Sequence, residues 1–426
     1  MDLPARIGNY EPLIRLASGG MATLYVARHA RAGGFERLVV IKRVHPHLLG
    51  NREFCDMFLD EARISSLIRH ANVVPVIDVA EANRELFLVL EYVESLSLAQ
   101  LLAAAKVQGE LLPPPVVSRI MSDALAGLHA AHEALDMREV SMGIVHRDVS
   151  PHNILVDTHG ISSIIDFGIA KAASRLSDTS TGQFKGKFRY MAPEQVKQLP
   201  LDRRADVFSA GVVLYEALTG RTLFPGENEG DTVLSVLVTE IPDPSSIAPG
   251  VSEKLDAVAH EALERRRDQR FDTAARFREA LEEACPPSTT DEVAAIVARL
   301  GGEMLARRRE DLQKALGRTA DRSPATRPRG RRVSLALIGL LVVGGLSAGA
   351  IIQANRGLRR PPPSAMAPPT SAAPLEATAP ADSRAPPSPD STSAPTATQV
   401  VRGPRPPSAP PAPSVDLHRR NPYEPQ

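Results

Sequence analysis

Two aspartates and an asparagine in the middle of the chain are spaced so that they could do chemistry. In His146-Arg147-Asp148-Val149-Ser150-Pro151-His152-Asn153, the Asp148 carboxylate can accept and orient the proton of a hydroxyl group. Asn153, five residues on, offers a neutral oxygen to a divalent cation. Asp166 follows in Asp166-Phe167-Gly168, thirteen residues after Asn153, and supplies the carboxylate oxygen that a hard cation prefers. Lys42 ends the apolar run Val39-Val40-Ile41, where an ammonium needs an anionic partner. Glu61, in Phe58-Leu59-Asp60-Glu61-Ala62-Arg63, is the natural one. Near the N-terminus, Leu16-Ala17-Ser18-Gly19-Gly20-Met21-Ala22-Thr23-Leu24 reads as a glycine-rich turn. Its missing side chains would let backbone N–H groups approach phosphate oxygens.

These residues need elements to hold them. Residues 10–93 are dominated by short β-like runs, at 23–27, 39–44 and 86–90, with one helical stretch near 53–69 that carries Glu61. Residues 96–285 turn helical, at 116–133, 205–219 and 254–265, around a strand-and-loop patch at 144–169 that carries Asp148, Asn153 and Asp166. The pattern predicts an α+β chain with a small β-rich lobe and a larger helical one. Thr289-Thr290-Asp291-Glu292 predicts a capped amphipathic helix running, with a break at Gly301-Gly302, toward Leu316.

Taken together and in this order, the motifs from Leu16 to Arg270 resemble those of the bacterial Ser/Thr protein kinases of eukaryotic (Hanks) type. The resemblance implies a two-lobed protein kinase fold over residues 10–285, the N-lobe ending at 93, with ATP and Mg²⁺ (or Mn²⁺) as cofactors and proteins as substrates. It places Ala17, Ser18, Gly19, Gly20 and Leu24 over the nucleotide, although Ala17 and Ala22 replace the outer glycines of the family's loop. It puts Lys42 on the α- and β-phosphates with Glu61 as its helix partner. Leu90, Glu91 and Val93 would form the hinge that meets adenine, beneath a roof that includes Val40. Asp148 would be the catalytic base, with Asn153 and Asp166 as metal ligands.

Further matches imply structural roles. Glu194, in Ala192-Pro193-Glu194, resembles the carboxylate that pairs with a late arginine, here Arg270, and Asp206 resembles the anchor of the catalytic loop. Two positions depart from the family. Ser150 stands where the loop has lysine, and Lys187 stands where the activation segment has threonine, which suggests an exchange in which Lys187 meets the γ-phosphoryl group and Ser150 holds Asp148. Arg147, with Ser177, Thr179, Ser180 and Thr181, suggests control by phosphorylation of the activation segment. The rival expectation is a pseudokinase scaffold.

Lysine plus arginine and aspartate plus glutamate both number 50, so no charge excess favours nucleic acid as a partner. Cys55 and Cys285 are too few for a disulfide framework or a zinc site. Residues 333–352 hold 20 positions without a charge, at ~1.5 Å per residue enough to cross a bilayer, behind Arg327, Arg329, Arg331 and Arg332. Residues 286–332 then read as a basic juxtamembrane linker and 353–426 as a disordered Pro/Ala/Ser-rich tail. The expectation is a single-pass protein of the inner membrane with its catalytic part cytoplasmic. Gly345 and Gly349, at G-x-x-x-G spacing, suggest a homodimer.

Overall fold

The computed structural model describes residues 3–30, 36–82, 85–167 and 188–322. Its N-terminal lobe is an antiparallel sheet of β1 (Glu11–Ser18), β2 (Ala22–Ala30), β3 (Glu36–Val44), β4 (Val76–Ala82) and β5 (Glu85–Glu91), in the order β1-β2-β3-β5-β4. The two-residue period of β3 decides which side chains reach the cleft. Val39 and Ile41 are buried with Tyr10, Tyr25, Phe87 and Val89, so Val40 and Lys42 must emerge on the opposite face. There Val40 pairs with Leu90 and Lys42 with Leu88 across the β3–β5 ladder.

The same face is covered by α1 (Arg52–Leu67). Asn51 caps this helix by accepting the Phe54 amide at 3.1 Å, and its buried stripe runs Phe54, Phe58, Glu61, Ala62, Ser65. A helical period therefore carries a glutamate into an otherwise apolar stripe, facing the strand that carries Lys42.

The C-terminal lobe contains a small sheet of β6 (Ser95–Ser97), β7 (Ile154–Asp157) and β8 (Ser162–Ile164). Around it lie α2 (Leu98–Val107), α3 (Pro114–His132), α4 (Arg204–Thr219), α5 (Glu229–Val238), α6 (Glu253–Ala262), α7 (Ala274–Ala284) and α8 (Thr290–Arg322). Every side chain of α4 from Ala205 to Thr219 is buried, which marks it as the axial core helix, and it stops at Gly220 in the left-handed conformation (φ 64°). The expected strands and helices fall within β2, β3, β5, α1, α3, α4 and α6, with C-terminal ends shifted by up to three residues.

Two differences concern the C-terminal region. The helix expected to break at Gly301-Gly302 is continuous as α8. Gly301 instead serves close packing, since a Cβ there would lie 1.9 Å from Leu96 Cδ1. Rather than forming a linker, α8 buries Val293, Val297 and Leu305 in the main C-lobe core and Leu312 against Leu13 and Val26 of the N-lobe.

The expectation of a single-pass inner-membrane protein is corrected: among the described residues, no helix is long and apolar enough to cross a membrane. The longest, α8, carries Arg299, Glu303, Arg307 and Glu310 along its exposed side. Residues 333–352 with Gly345 and Gly349, the tail, and 168–187 with Lys187, Ser177, Thr179, Ser180 and Thr181 lie outside the described residues.

Candidate active site

Lys42 reaches across from β3 and places Nζ 2.9 Å from Asp166 Oδ1 and 3.4 Å from Glu61 Oε1. Burial by itself would lower the lysine's pKa. The charges of Asp166 and then Glu61 outweigh burial and hold it above the ordinary value, so the cation persists in a nearly dry site. One ammonium thus joins the sheet, α1 and the loop after β8.

The base candidate is held from several sides. Asn153 Nδ2 donates to Asp148 Oδ2 and to the Asp148 carbonyl, both at 2.7 Å. The Asp148 amide donates to His146 Nδ1 at 3.3 Å while His146 Nε2 donates to the Ile165 carbonyl at 3.1 Å, an arrangement that fixes one tautomer. His146 is fully buried, with its ring 4.7 Å from that of Phe167, so it packs and orients. The Ile165 amide in turn donates to the Asn153 carbonyl at 3.0 Å, tying the loop that carries Asp148 to the one that carries Asp166.

Arg147 and Asp166 both have left-handed backbones, with φ of 66° and 59°, conformations that non-glycine residues adopt at a cost. The strain at Arg147 is held by Asp206 of α4. Its Oδ1 accepts the Arg147 amide at 2.8 Å, and Oδ2 accepts the His146 amide at 2.7 Å and pairs with His132 Nε2 at 2.8 Å. A buried carboxylate at the start of the core helix therefore fixes the loop that carries Asp148 through its backbone.

Glu194 lies in a one-turn helix at Pro193–Val196 and meets Arg270 in a buried two-pronged pair, 2.7 and 2.9 Å. Gln195 bridges this turn to the loop, donating to the Arg147 carbonyl at 3.1 Å. The Arg147 Nε is buried and has no hydrogen-bond partner among the described residues.

The β1–β2 hairpin sets Ala17 opposite Leu24 and Ser18 opposite Thr23, and Leu24 in turn pairs with Lys42 across the β2–β3 ladder. The Gly19 amide donates to the Ala22 carbonyl at 2.9 Å to make the turn. At the hinge Leu90 is buried beside Val40, and the Glu91 amide is already taken by the Pro75 carbonyl at 3.1 Å. Adenine recognition at that residue would therefore fall to its carbonyl.

Lys42, Glu61, Asp166, Asp148 and Asn153 are thus connected in one constellation, and Lys42 lies on the strand paired with the hairpin that carries Ser18, Gly19 and Gly20. Asp166 and Asn153 supply a carboxylate and an amide oxygen from the two linked loops, a donor set that suits Mg²⁺. Ser150 is different. Its hydroxyl is buried but makes no hydrogen bond among the described residues, whereas the Asn153 amide donates to the Asp148 carboxylate. The sequence reading missed His132 and Gln195. A lone histidine on the apolar face of α3 and a glutamine in a turn carry no spacing signal, and only the fold brings them to Asp206 and Arg147.

Residues 10–283 match the family described as protein kinase domain. The chain is 41% identical over 275 residues to the tyrosine-protein kinase MasK of Myxococcus xanthus, covering 65% of this chain and 43% of MasK. It is 34% identical over 257 residues to the serine/threonine-protein kinase PknL of Mycobacterium tuberculosis, covering 60% of this chain and 61% of PknL. Among solved structures the Mycobacterium tuberculosis PknI kinase domain shares the fold, with a TM-score of 0.52 at 23% identity, over 66% of this chain and 99% of that one.

Proposed function

Since the chain belongs to the protein kinase domain family, we propose that it transfers the γ-phosphoryl group of ATP to serine and threonine hydroxyls of proteins, itself included. One observation carries the reading: Lys42 bridges Glu61 and Asp166 while Asn153 holds Asp148. An ammonium for the phosphates, a metal-ready carboxylate and an oriented base are then assembled before substrate arrives, and such pre-organisation is where catalytic power in phosphoryl transfer resides.

In this scheme Leu24 and Val40 cover the adenine from the sheet, Leu90, Glu91 and Val93 line its edge, and the backbone of Ser18 to Gly20 covers the phosphates. Lys42 neutralises the α- and β-phosphates. Asp148 orients the protein hydroxyl and takes its proton as the new O–P bond forms and the bond to the β-phosphate oxygen breaks, releasing ADP. Asn153 and Asp166 would hold a divalent cation, which would supply neutralisation of phosphate charge.

The test is incubation of the purified chain with labelled ATP and Mg²⁺, followed by phosphoamino-acid analysis. Phosphoserine and phosphothreonine that vanish in Asp148→Asn support the proposal. Phosphotyrosine alone would replace it with the tyrosine reading, which the name of MasK and the serine at position 150 favour. Nucleotide binding without transfer would leave the scaffold.

A further inference from the structure

The helix α8 follows the last residue of the family match, and nothing in the reaction scheme requires it. Its N-terminal half is anchored in the C-lobe core by Val293, Val297 and Leu305. Its C-terminal half reaches the other lobe, where Leu312 is buried with Leu13 of β1 and Val26 of β2. Between these anchors it meets the chain just beyond the hinge: Arg308 Nη1 donates to the Ser95 carbonyl at 2.8 Å, and Arg309 Nη2 to Glu94 Oε2 at 2.9 Å.

The docking is built into the sequence at two glycines. At Gly160, in the β7–β8 turn (φ 78°), a Cβ would lie 1.9 Å from the Thr290 carbonyl oxygen that opens α8. At Gly301 it would lie 1.9 Å from Leu96. Glycine is unfavourable inside a helix, and here it is what lets α8 seat directly on the strand that follows the hinge.

We propose that α8 is a brace across the back of the hinge and that Leu312 and Arg308 are positioning residues for the nucleotide cleft, an inference that rests on the kinase reading. ATP would lie between the lobes, so the angle between them sets the spacing of its contacts. Leu16 and Leu38 pack on the same group as Leu312. Leu16 leads into the glycine-rich turn, and Leu38 lies on the strand that carries Val40 and Lys42, so the brace reaches the nucleotide through β1 and β3. Holding the lobes near their nucleotide-bound angle raises the fraction of binding-competent molecules, and apparent affinity scales with that fraction.

The experiment measures the Kd of a fluorescent ATP analogue and, separately, KM for ATP and kcat, in the full chain, in Leu312→Ala and in Arg308→Gln. If the unbraced lobes are competent about a tenth of the time, Leu312→Ala raises both Kd and KM for ATP about tenfold, with kcat at saturating ATP within about twofold. Arg308→Gln moves both constants in the same direction by about threefold. Wild-type Kd in both variants overturns the brace, as does a fall in kcat and thermal stability with KM unchanged, the signature of a structural contact alone. The binding arm needs no phosphoryl transfer. A wild-type chain that binds the analogue without transferring phosphate therefore refutes the kinase reading while the brace is still judged by Kd.

Discussion

Replacing Arg270 by methionine tests the C-lobe architecture where the structure makes the largest demand on one side chain. The guanidinium is fully buried and donates to both oxygens of Glu194, at 2.7 and 2.9 Å. It also donates to the carbonyls of Arg204, Arg265 and Glu264, at 2.8, 3.2 and 2.5 Å, and its carbon lies 4.9 Å above the Phe208 ring. Methionine fills much of the volume but leaves a carboxylate buried with no countercharge, a loss of roughly 3–5 kcal/mol. The three carbonyls lose a donor as well, which puts the effect toward the upper end of that range. At roughly 2–4 °C per kcal/mol for a domain of this size, Tm should fall by about 10 °C or more. Thermal and urea unfolding of Arg270→Met, Glu194→Gln and the double variant form a cycle. The double variant should be less destabilised than the sum of the singles by about 1 kcal/mol or more, because it removes the orphaned charge. If Arg270→Met unfolds within about 1 kcal/mol of wild type, or the two changes simply add, the pair does not organise the lobe as argued.

The remaining predictions concern the site and α8. Asp148→Asn should lower turnover by about 10²- to 10⁴-fold, measured by initial rates, while leaving nucleotide Kd within a few-fold, because the base acts on the hydroxyl. Ser150→Ala should keep turnover within about threefold of wild type, since removing a buried hydroxyl that has no partner among the described residues is close to neutral. Replacing Ser177, Thr179, Ser180 and Thr181 together by alanine should abolish any phosphate found in this segment by mass spectrometry and slow turnover, with the buried Arg147 Nε, which has no partner among the described residues, as the structural motive. Gly301→Ala should destabilise the protein by about 1–3 kcal/mol in urea titration, although alanine is the better helix former, because its Cβ would overlap Leu96.

Much of the site was legible because its chemistry is local in sequence. Asp148 and Asn153 sit on one loop and Asp166 on the next, and the resemblance of these short motifs to the family's, at this spacing, related them. The apolar run ending in Lys42 called for a carboxylate, and the two-residue and helical periods placed Lys42 and Glu61 on facing surfaces. Less legible were groups whose role arises from contacts distant in sequence. Asp206 lies almost 60 residues from the amides it accepts, as their numbering shows, and needed the family resemblance to be noticed at all. His132 and Gln195 gave no signal. The suggested exchange of Ser150 with Lys187 is not decided by the fold, because Lys187 lies outside the described residues, while Asn153 is seen to donate to the Asp148 carboxylate. The Gly301-Gly302 pair read as a helix breaker by intrinsic propensity, but tertiary contact overrode that preference where a close approach to Leu96 rewarded a missing side chain.

The seating of α8 also moves the end of the folding unit. The family match stops at residue 283, yet Val293, Val297 and Leu305 belong to the same apolar core as Leu96, Leu101 and Val116. A chain cut at the family boundary would uncover apolar surface at Leu96 on one lobe and at Leu13 with Val26 on the other. Such a fragment would be expected to aggregate, and its poor behaviour would be mistaken for a property of the catalytic lobes. A fragment that keeps these contacts has to run through Leu316, the last residue of α8 that packs on the Leu13 and Val26 group.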